Sequence, residues 1–305
     1  MLRLWPQGAA SAVGAARGGP PETEAEEPRK YRILKGLSHQ YQDARAAQEY
    51  DVETPGDNTT SFEWQHTSAG EVLQCRPLAA HAPHVFTSRS LEFRKAPAGD
   101  YGQLASLFHT DATRIVRVTQ VHGRVVVTVA PGVDVADGVE ADALVSTDPS
   151  RVISVRVADC VPVLIGDRRR RAVAAIHAGW KGTCAGIVGA TVEVMIGLGA
   201  TPDDLVAAIG PSIGPCCYQV DERVRHAFLA FTPDAAAWMT EDEAAPARWK
   251  LDLWRANGDQ LLAAGVPSSS IHVSGVCTAH HLDRCYSHRA EGAATGRMVG
   301  AIQLV

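Results

Sequence analysis

A thiol and an imidazole stand at the same end of two neighbouring apolar runs in the segment RVADCVPVLIGDRRRRAVAAIHAGWK, residues 156–181. Cys160 precedes the run VPVLI, and His177 follows the run AVAAI. The charged turn DRRRR between the runs predicts an antiparallel hairpin, in which the start of one strand lies beside the end of the other. The sequence therefore predicts that Cys160 and His177 are close together in the folded chain.

A third donor, His122, stands in TQVHGRVVVTV at the start of another strand-like run. One thiolate and two imidazoles are a ligand set of catalytic zinc ions, in which the fourth position stays open for water or substrate. The spacing leaves two other interpretations open. Cys160 and His177 could form a nucleophile and its base without a metal, or all three could be structural residues, because a Cys at a strand edge is often a small buried residue.

The elements that would position these donors are short strands followed by helices. Strands rich in β-branched residues are predicted at residues 115–118, 124–129, 143–146, 152–157, 161–165 and 172–176. One helix is predicted over 187–198 with a stop at Gly199, and Asp221 and Asp252 are predicted N-caps of two more, the last ending at Gly265. Because strands precede helices without strict βαβ alternation, the expected fold is a single α+β domain, a mixed β-sheet packed by helices.

Residues 1–60 form a contrasting segment. The stretch GGPPETEAEEPRKYR is acidic and rich in proline, and DARAAQEYDVETPGDNTT supplies few large apolar groups. Such a composition buries too little surface to offset chain entropy. The sequence therefore predicts a disordered leader over 1–60 and a folded domain over 61–305, beginning near Phe62 or Trp64.

Composition and charge exclude several classes of function. The formal net charge of −5 gives no basic field for nucleic acid, and the only dense basic run, residues 168–171, is predicted to be a solvated turn. No apolar run approaches the length of a membrane span. An odd number of cysteines, seven, without a secretory signal indicates reduced thiols in a cytoplasm-like compartment. The sequence gives no indication of oligomeric state.

Several motifs resemble those of the multicopper polyphenol oxidoreductase, or laccase-domain, family: QVHG at 120–123, DALVS at 142–146, ADCVPVLIGD at 158–167 and AAIHAGWKGT at 174–183. IGPSIGPCCYQV at 209–220, CT at 277–278 and TGRM at 295–298 continue the resemblance in the same order. The resemblance implies a cytoplasmic, zinc-dependent purine nucleoside phosphorylase acting on adenosine, inosine and S-methyl-5'-thioadenosine, with adenosine deaminase activity besides. It also implies His122, Cys160 and His177 as the zinc ligands.

The family name also implies copper, so a copper polyphenol oxidase and a metal-free Cys–His hydrolase remain the alternative functions. One Cys and two His hold a single metal, whereas a multicopper oxidase needs many more His ligands. The twelve histidines of this chain are scattered, and only His280 and His281 form a pair. Zinc is therefore the expected cofactor.

The resemblance and the chemistry together suggest which residues bind substrate. Arginine suits phosphate because its planar fork binds two oxygens. Arg89 and Arg289 are the candidates, and Lys181 and Arg297 could share the role. Two departures from the family pattern bear on these contacts: FTSRSLEF around Arg89 lacks the family's glycines, and CYSHRAEG has His288 where the family has an arginine.

The expected catalytic residues are Cys160, His122 and Asp159. For deamination, the resemblance implies that zinc activates a water molecule for attack on C6 of the purine. Asp159 would orient a His ligand or shuttle the proton, although a buried capping Asp is an equally good interpretation. Gln120 would contact the purine edge, unless it makes a strand-end hydrogen bond instead.

Overall fold

The computed structural model describes residues 61–94 and 98–305. The predicted leader lies outside these residues, so its disorder and the boundary at residue 60 stay predictions. Among the described residues, the first strand begins at Phe62. None of the described helices is both long and apolar enough to cross a membrane.

The described residues form fifteen strands and seven α-helices, which confirms the predicted α+β class. The strands are β1 (Phe62–Thr67), β2 (Gly70–Cys75), β3 (His84–Thr87), β4 (Ile115–Val116), β5 (Val126–Val129), β6 (Ala143–Ser146), β7 (Val152–Val157), β8 (Val161–Asp167), β9 (Val173–Ala178), β10 (Leu205–Ile209), β11 (Gln219–Asp221), β12 (Met239–Glu241), β13 (Arg248–Leu251), β14 (Ile271–Val273) and β15 (Met298–Gln303). The helices are α1 (Arg76–Ala79), α2 (Ala98–Ser106), α3 (Trp180–Cys184), α4 (Ile187–Gly197), α5 (Glu222–Phe231), α6 (Leu253–Ala263) and α7 (His288–Glu291).

The strands form two mixed six-stranded sheets and a three-stranded antiparallel sheet, where the sequence predicted one mixed sheet. The first sheet has the order β1-β2-β3-β15-β7-β4, and the second has the order β14-β10-β8-β9-β6-β5. The small sheet has the order β11-β13-β12. Both large sheets are mixed because β4 runs parallel to β7 in the first, and β5 to β6 and β10 to β14 in the second. Apolar patterning identifies strands but not their partners, which is why one sheet was expected.

The predicted hairpin is the centre of the second sheet. Strands β8 and β9 are antiparallel, and every residue of both is buried. Leu164 and Ala175 belong to the core cluster shared with Ile153 of the first sheet, whereas Ile165 and Ile176 belong to the cluster that contains α4. Alternate residues of a strand point to opposite faces, so a strand covered by a sheet on one side and helices on the other is a continuous apolar run.

The predicted helix signals are confirmed around this hairpin. Helix α4 begins at Ile187, as expected. The Asp221 carboxylate accepts from the N–H of Val224 at 3.2 Å to cap α5, and the Asp252 carboxylate accepts from the N–H of Arg255 at 2.9 Å to cap α6. Each cap satisfies a backbone donor that the first helical turn leaves free.

A buried histidine joins β3 to the start of α1. His84 is 1% exposed, and its Nδ1 lies 3.0 Å from the carbonyl oxygen of Ala82. Its Nε2 accepts from the N–H of Cys75 at 3.0 Å. Both ring nitrogens are satisfied only in the neutral tautomer that carries its proton on Nδ1. Burial accordingly lowers the pKa of His84 to about 4, although the bond to Ala82 acts in the opposite direction.

Candidate metal centre

Three potential metal donors converge where the hairpin meets the loop before β5. Cys160 directly precedes β8, His177 lies in β9, and the register pairs Val161 with Ala178. His122 comes from the loop before β5. The three donor atoms lie within 4.8 Å of one another, and Cys160 Sγ is 3.8 Å from His122 Nε2. The structure therefore brings together the three residues that the sequence singled out.

The Asp142 carboxylate forms hydrogen bonds with two of the three donor residues, His177 and His122. Its carboxylate is fully buried, and its Oδ1 lies 2.8 Å from His177 Nδ1 and accepts from the N–H of His122 at 2.9 Å. Its Oδ2 accepts from the N–H groups of Val121 at 3.3 Å and Gly123 at 2.6 Å. A proton on Nδ1 of His177 leaves Nε2 free as a metal donor, the usual carboxylate–histidine–metal arrangement.

Asp142 was not assigned a role by sequence reasoning, although DALVS was recognised as a motif. Burial raises the pKa of this carboxyl group, but the bonds from His177, Gly123 and His122 outweigh that effect and lower it. The carboxylate is therefore ionised and can fix the ring orientation of His177. The signal in the sequence was an acid immediately before an apolar strand, which costs energy to bury unless it has partners.

The backbone at the site is specialised to present the donors. His122 and Asp159 have φ values of 61° and 83°, in the left-handed region that residues other than glycine seldom adopt. Gly179 follows β9, and a Cβ there would lie 2.9 Å from both Cys160 Sγ and His122 Cδ2. A side chain at position 179 would thus occupy the space between two donors.

The electrostatics favour an ionised thiol. Burial opposes ionisation of Cys160, but the neighbouring His177 and His122 outweigh it and lower the pKa of the thiol to about 6. Burial likewise opposes the charged form of His177, but Cys160 and Asp142 raise its pKa. The thiolate that a metal or a nucleophilic mechanism requires is available near neutral pH.

The donor set fits zinc. With Zn–S of about 2.3 Å and Zn–N of about 2.0–2.1 Å, tetrahedral geometry separates a sulfur and a nitrogen ligand by roughly 3.6 Å. The observed 3.8 Å between Cys160 Sγ and His122 Nε2 is close to that value. Three protein donors leave one position open, as in catalytic zinc sites.

The donors open into a cavity of about 590 Å³. Its charged and polar wall is made by Arg94, Gln120, Arg156, Asp159, His288, Arg289 and Arg297, and its remaining lining by Ala158, Ile213 and Tyr218 with the three donors. Burial, and then the charge of Arg94, lower the pKa of Arg297. Four arginines and one carboxylate line the cavity, and this excess of positive charge suits an anionic ligand.

Three of the five predicted substrate contacts, Arg289, Arg297 and Gln120, line this cavity. Arg289 donates from Nη1 to the carbonyl of Gln219 at 3.0 Å, and its guanidinium lies 5.2 Å from the ring centre of Tyr218. Gln120 also lines the cavity, but its amide exchanges two 2.8 Å hydrogen bonds with the backbone of Arg156. Gln120 thus makes the strand-end contact that was the alternative to purine binding.

The other two predicted contacts are not among the cavity-lining residues. Arg89 pairs with Glu291 at 3.1 Å, donates to the carbonyl of Leu282, and lies 4.8 Å from the ring centre of Tyr286. Lys181 is exposed, with Nζ 5.7 Å from the ring centre of Trp180. Arg94 and Arg156 line the cavity but were missed by sequence reasoning, because no motif marks them.

Asp159 lines the cavity, but its carboxylate is hydrogen-bonded within the protein. Oδ1 accepts from the hydroxyls of Thr278 at 2.6 Å and Ser287 at 2.8 Å, and Oδ2 accepts from the N–H of Arg289 at 2.6 Å. Asp142, rather than Asp159, makes the carboxylate contact to the candidate donor His177. Asp159 instead fixes the chain segment that carries Arg289.

The chain is similar to known proteins in both sequence and fold. Residues 95–305 match the family model described as multi-copper polyphenol oxidoreductase laccase. A purine nucleoside phosphorylase of Bacteroides thetaiotaomicron is 40% identical over 164 residues, 53% of this chain and 60% of the relative. One of Deinococcus radiodurans is 36% identical over 239 residues, 73% of this chain and 89% of the relative. The crystal structure of YlmD from Geobacillus stearothermophilus, 30% identical, superposes with a TM-score of 0.70 over 79% of this chain and 98% of that chain.

Proposed function

The chain belongs to the multi-copper polyphenol oxidoreductase laccase family, and we propose that it is a zinc-dependent purine nucleoside phosphorylase. The proposed substrates are inorganic phosphate and adenosine, inosine or S-methyl-5'-thioadenosine. The names of the relatives support the class of reaction. The observation that carries the proposal is a single cavity in which three metal donors and four arginines face the same space.

Phosphate is proposed to bind at the arginine wall, the part of the cavity lining formed by Arg94, Arg156, Arg289 and Arg297. Arg289 and Arg297 each have Nη1 anchored on backbone carbonyls, Arg289 on Gln219 and Arg297 on Thr295 and Gly296. Anchoring one nitrogen holds the guanidinium in place while its other N–H groups remain to donate to phosphate oxygens. Each charge-assisted bond of this kind contributes about 1.5–3 kcal/mol.

The nucleoside is proposed to occupy the rest of the cavity. Ile213 and the ring of Tyr218 provide apolar and aromatic surface beside Arg289. Phosphorolysis forms a bond from a phosphate oxygen to C1′ as the bond from C1′ to the purine nitrogen breaks. Holding both reactants in one cavity supplies much of the rate, because it removes the entropic cost of bringing them together.

His122, Cys160 and His177 are the proposed zinc ligands. Bound there, zinc would supply a Lewis acid with one open coordination position. We further propose adenosine deaminase activity in the same cavity. Asp142 orients His177, and Asp159, held by three hydrogen bonds, is the proposed carboxylate near the reacting groups.

A metal-free Cys–His hydrolase is the second candidate, because the structure places Cys160 beside two imidazoles that lower the pKa of its thiol against the effect of burial. The two candidates differ in phosphate dependence and in metal content. A hydrolase would release free base at the same rate with or without phosphate, and would keep its activity after chelation. A copper polyphenol oxidase would instead show bound copper and oxygen uptake with phenols.

The test is incubation of the purified full-length chain with inosine, with and without phosphate. We expect hypoxanthine and ribose 1-phosphate only when phosphate is present, and loss of both products in Cys160→Ala. The matched control is Cys184→Ser, a partly buried thiol outside the cavity lining. Phosphate-independent release of hypoxanthine would contradict the proposal.

A further inference from the structure

A second cluster of metal donors lies outside the metal centre described above. Cys216, Cys217, Cys277 and His280, here called the cysteine cluster, each place one donor atom within 4.8 Å of the others. Cys216 Sγ lies 3.7 Å from His280 Nδ1. Cys277 is buried, whereas Cys216 and His280 are exposed at the surface.

Two backbone segments are bound together to form the cysteine cluster. Ser212 and Cys277 form a parallel bridge, and the N–H of Thr278 donates to the carbonyl of Ser212 at 3.0 Å. The first segment then turns, so that the N–H of Cys217 donates to the carbonyl of Gly214 at 3.0 Å. In the second segment, the N–H of His280 donates to the carbonyl of Cys277 at 3.1 Å. Vicinal cysteines thus face a C-x-x-H turn.

The spacing of the cluster fits a tetrahedral ion. Two thiolates bound to one zinc ion are roughly 3.8 Å apart, and a thiolate and an imidazole roughly 3.6 Å. The 3.7 Å between Cys216 Sγ and His280 Nδ1 agrees with that separation. All three cysteines of the cluster are free thiols in the structure. Cys277 Sγ also accepts a hydrogen bond from the N–H of Gly214 at 3.3 Å.

We propose that the cysteine cluster binds a structural zinc ion through three thiolates and one imidazole. Four protein donors close the coordination sphere, so this ion has no position for substrate, in contrast to the three-donor centre at His122, Cys160 and His177. Soft thiolate ligands select zinc or copper(I), and a tetrahedral S₃N set is a common structural zinc site.

The position of the cysteine cluster indicates what the ion stabilises. The segment that carries Cys216 and Cys217 also carries Ile213 and Tyr218 of the cavity wall. The other segment carries Thr278, whose hydroxyl donates to Asp159 at 2.6 Å. A zinc ion between the segments would hold this wall of the cavity in place without taking part in the reaction.

The first test uses the native full-length chain and zinc alone. Metal-depleted, reduced protein is treated with iodoacetamide with and without added Zn²⁺, and alkylation at each cysteine is followed by mass spectrometry. We expect zinc to slow the alkylation of the exposed Cys216 at least about tenfold, because a metal-bound thiolate is withdrawn from reaction. Cys184, a free thiol outside both clusters, is the internal control and should react equally in both conditions.

The second test counts the ions. Cys160→Ala should retain one zinc ion per chain at the cysteine cluster. The double variant Cys160→Ala with Cys216→Ser should lose this ion or bind it more than about 100-fold more weakly. Even changes outside the ligand shell weaken metal binding by about 10–100-fold. Cobalt(II) in Cys160→Ala should give a strong thiolate charge-transfer band. Unchanged alkylation of Cys216 in the presence of zinc, or one zinc ion per chain retained by the double variant, would overturn the proposal.

Discussion

Replacing Asp142 by Asn should loosen the metal centre while leaving its donor set intact. Each carboxylate oxygen of Asp142 serves two donors: Oδ1 faces His177 Nδ1 and the N–H of His122, and Oδ2 faces the N–H groups of Val121 and Gly123. An Asn side chain has one oxygen and one NH₂ group. Whichever way the amide is turned, its NH₂ group will face two N–H donors.

The number of N–H donors left unpaired sets the expected loss of stability. A buried donor left unsatisfied costs about 1–3 kcal/mol, and the three backbone donors are only partly buried, so Asp142→Asn should lower the free energy of unfolding by about 1–3 kcal/mol. Changes to a residue that orients a metal ligand weaken metal binding by about 10–100-fold, or about 1.4–2.7 kcal/mol. Both effects arise from one substitution, because the same carboxylate holds the ligand loop and the ligand ring.

The assay is zinc competition with a chromophoric chelator, performed in a Cys216→Ser background so that only the centre at His122, Cys160 and His177 is measured. Asp148→Asn is the matched control: Asp148 is also buried, and it accepts from the N–H of Ser150 at 2.8 Å rather than from a ligand. Asp148→Asn should lose stability but keep its zinc affinity. Wild-type zinc affinity in Asp142→Asn, or an equal loss in both variants, would refute the proposed positioning role.

Substitutions of Arg289, Gly179 and His84 have different expected results. Arg289→Gln should reduce phosphorolysis about ten- to hundredfold, the equivalent of one charge-assisted bond, with unchanged zinc content and little change in inosine formation from adenosine; equal loss of both activities would contradict a phosphate role. Gly179→Ala should lose zinc from the metal centre, because the new Cβ would lie 2.9 Å from two ligand side chains, whereas Gly102→Ala, with nothing within 4 Å, should keep it. Between pH 7 and pH 4, the wild type should lose about 3 kcal/mol more unfolding free energy than His84→Gln, because a pKa of about 4 in the folded chain lets His84 bind its proton only after unfolding. Parallel stability profiles in urea would show that His84 is not the group responsible.

Two donors of the metal centre, Cys160 and His177, could be predicted to be neighbours because their positions follow from local pattern. Two apolar runs joined by a charged turn define a hairpin, and the antiparallel register then places Cys160 beside His177. The predicted helix caps at Asp221 and Asp252 are likewise local, since a cap involves residues two or three positions apart. These features need no knowledge of the tertiary fold.

The arginine wall could not be predicted in the same way. Arg156 lies in β7 of the first sheet, and Arg289 lies in α7, so their meeting depends on how separate elements pack. Arg89 was assigned to phosphate from the resemblance. In the structure its guanidinium instead contacts Glu291 and the ring of Tyr286. An arginine that pairs within the protein and an arginine that binds substrate look the same in a sequence.

Asp159 links the metal centre, the arginine wall and the cysteine cluster, which lie far apart in the sequence. It precedes the proposed ligand Cys160 by one residue, and the N–H of Arg289 donates to its carboxylate at 2.6 Å. Thr278, which also donates to Asp159, follows the cluster residue Cys277. One buried carboxylate thus fixes the backbone of the metal centre, of the arginine wall and of the cysteine cluster relative to one another. Two reactants held in a single cavity react efficiently only when their binding groups are positioned in this way, so the hydrogen bonds of Asp159 account for its burial without requiring that it exchange a proton with substrate.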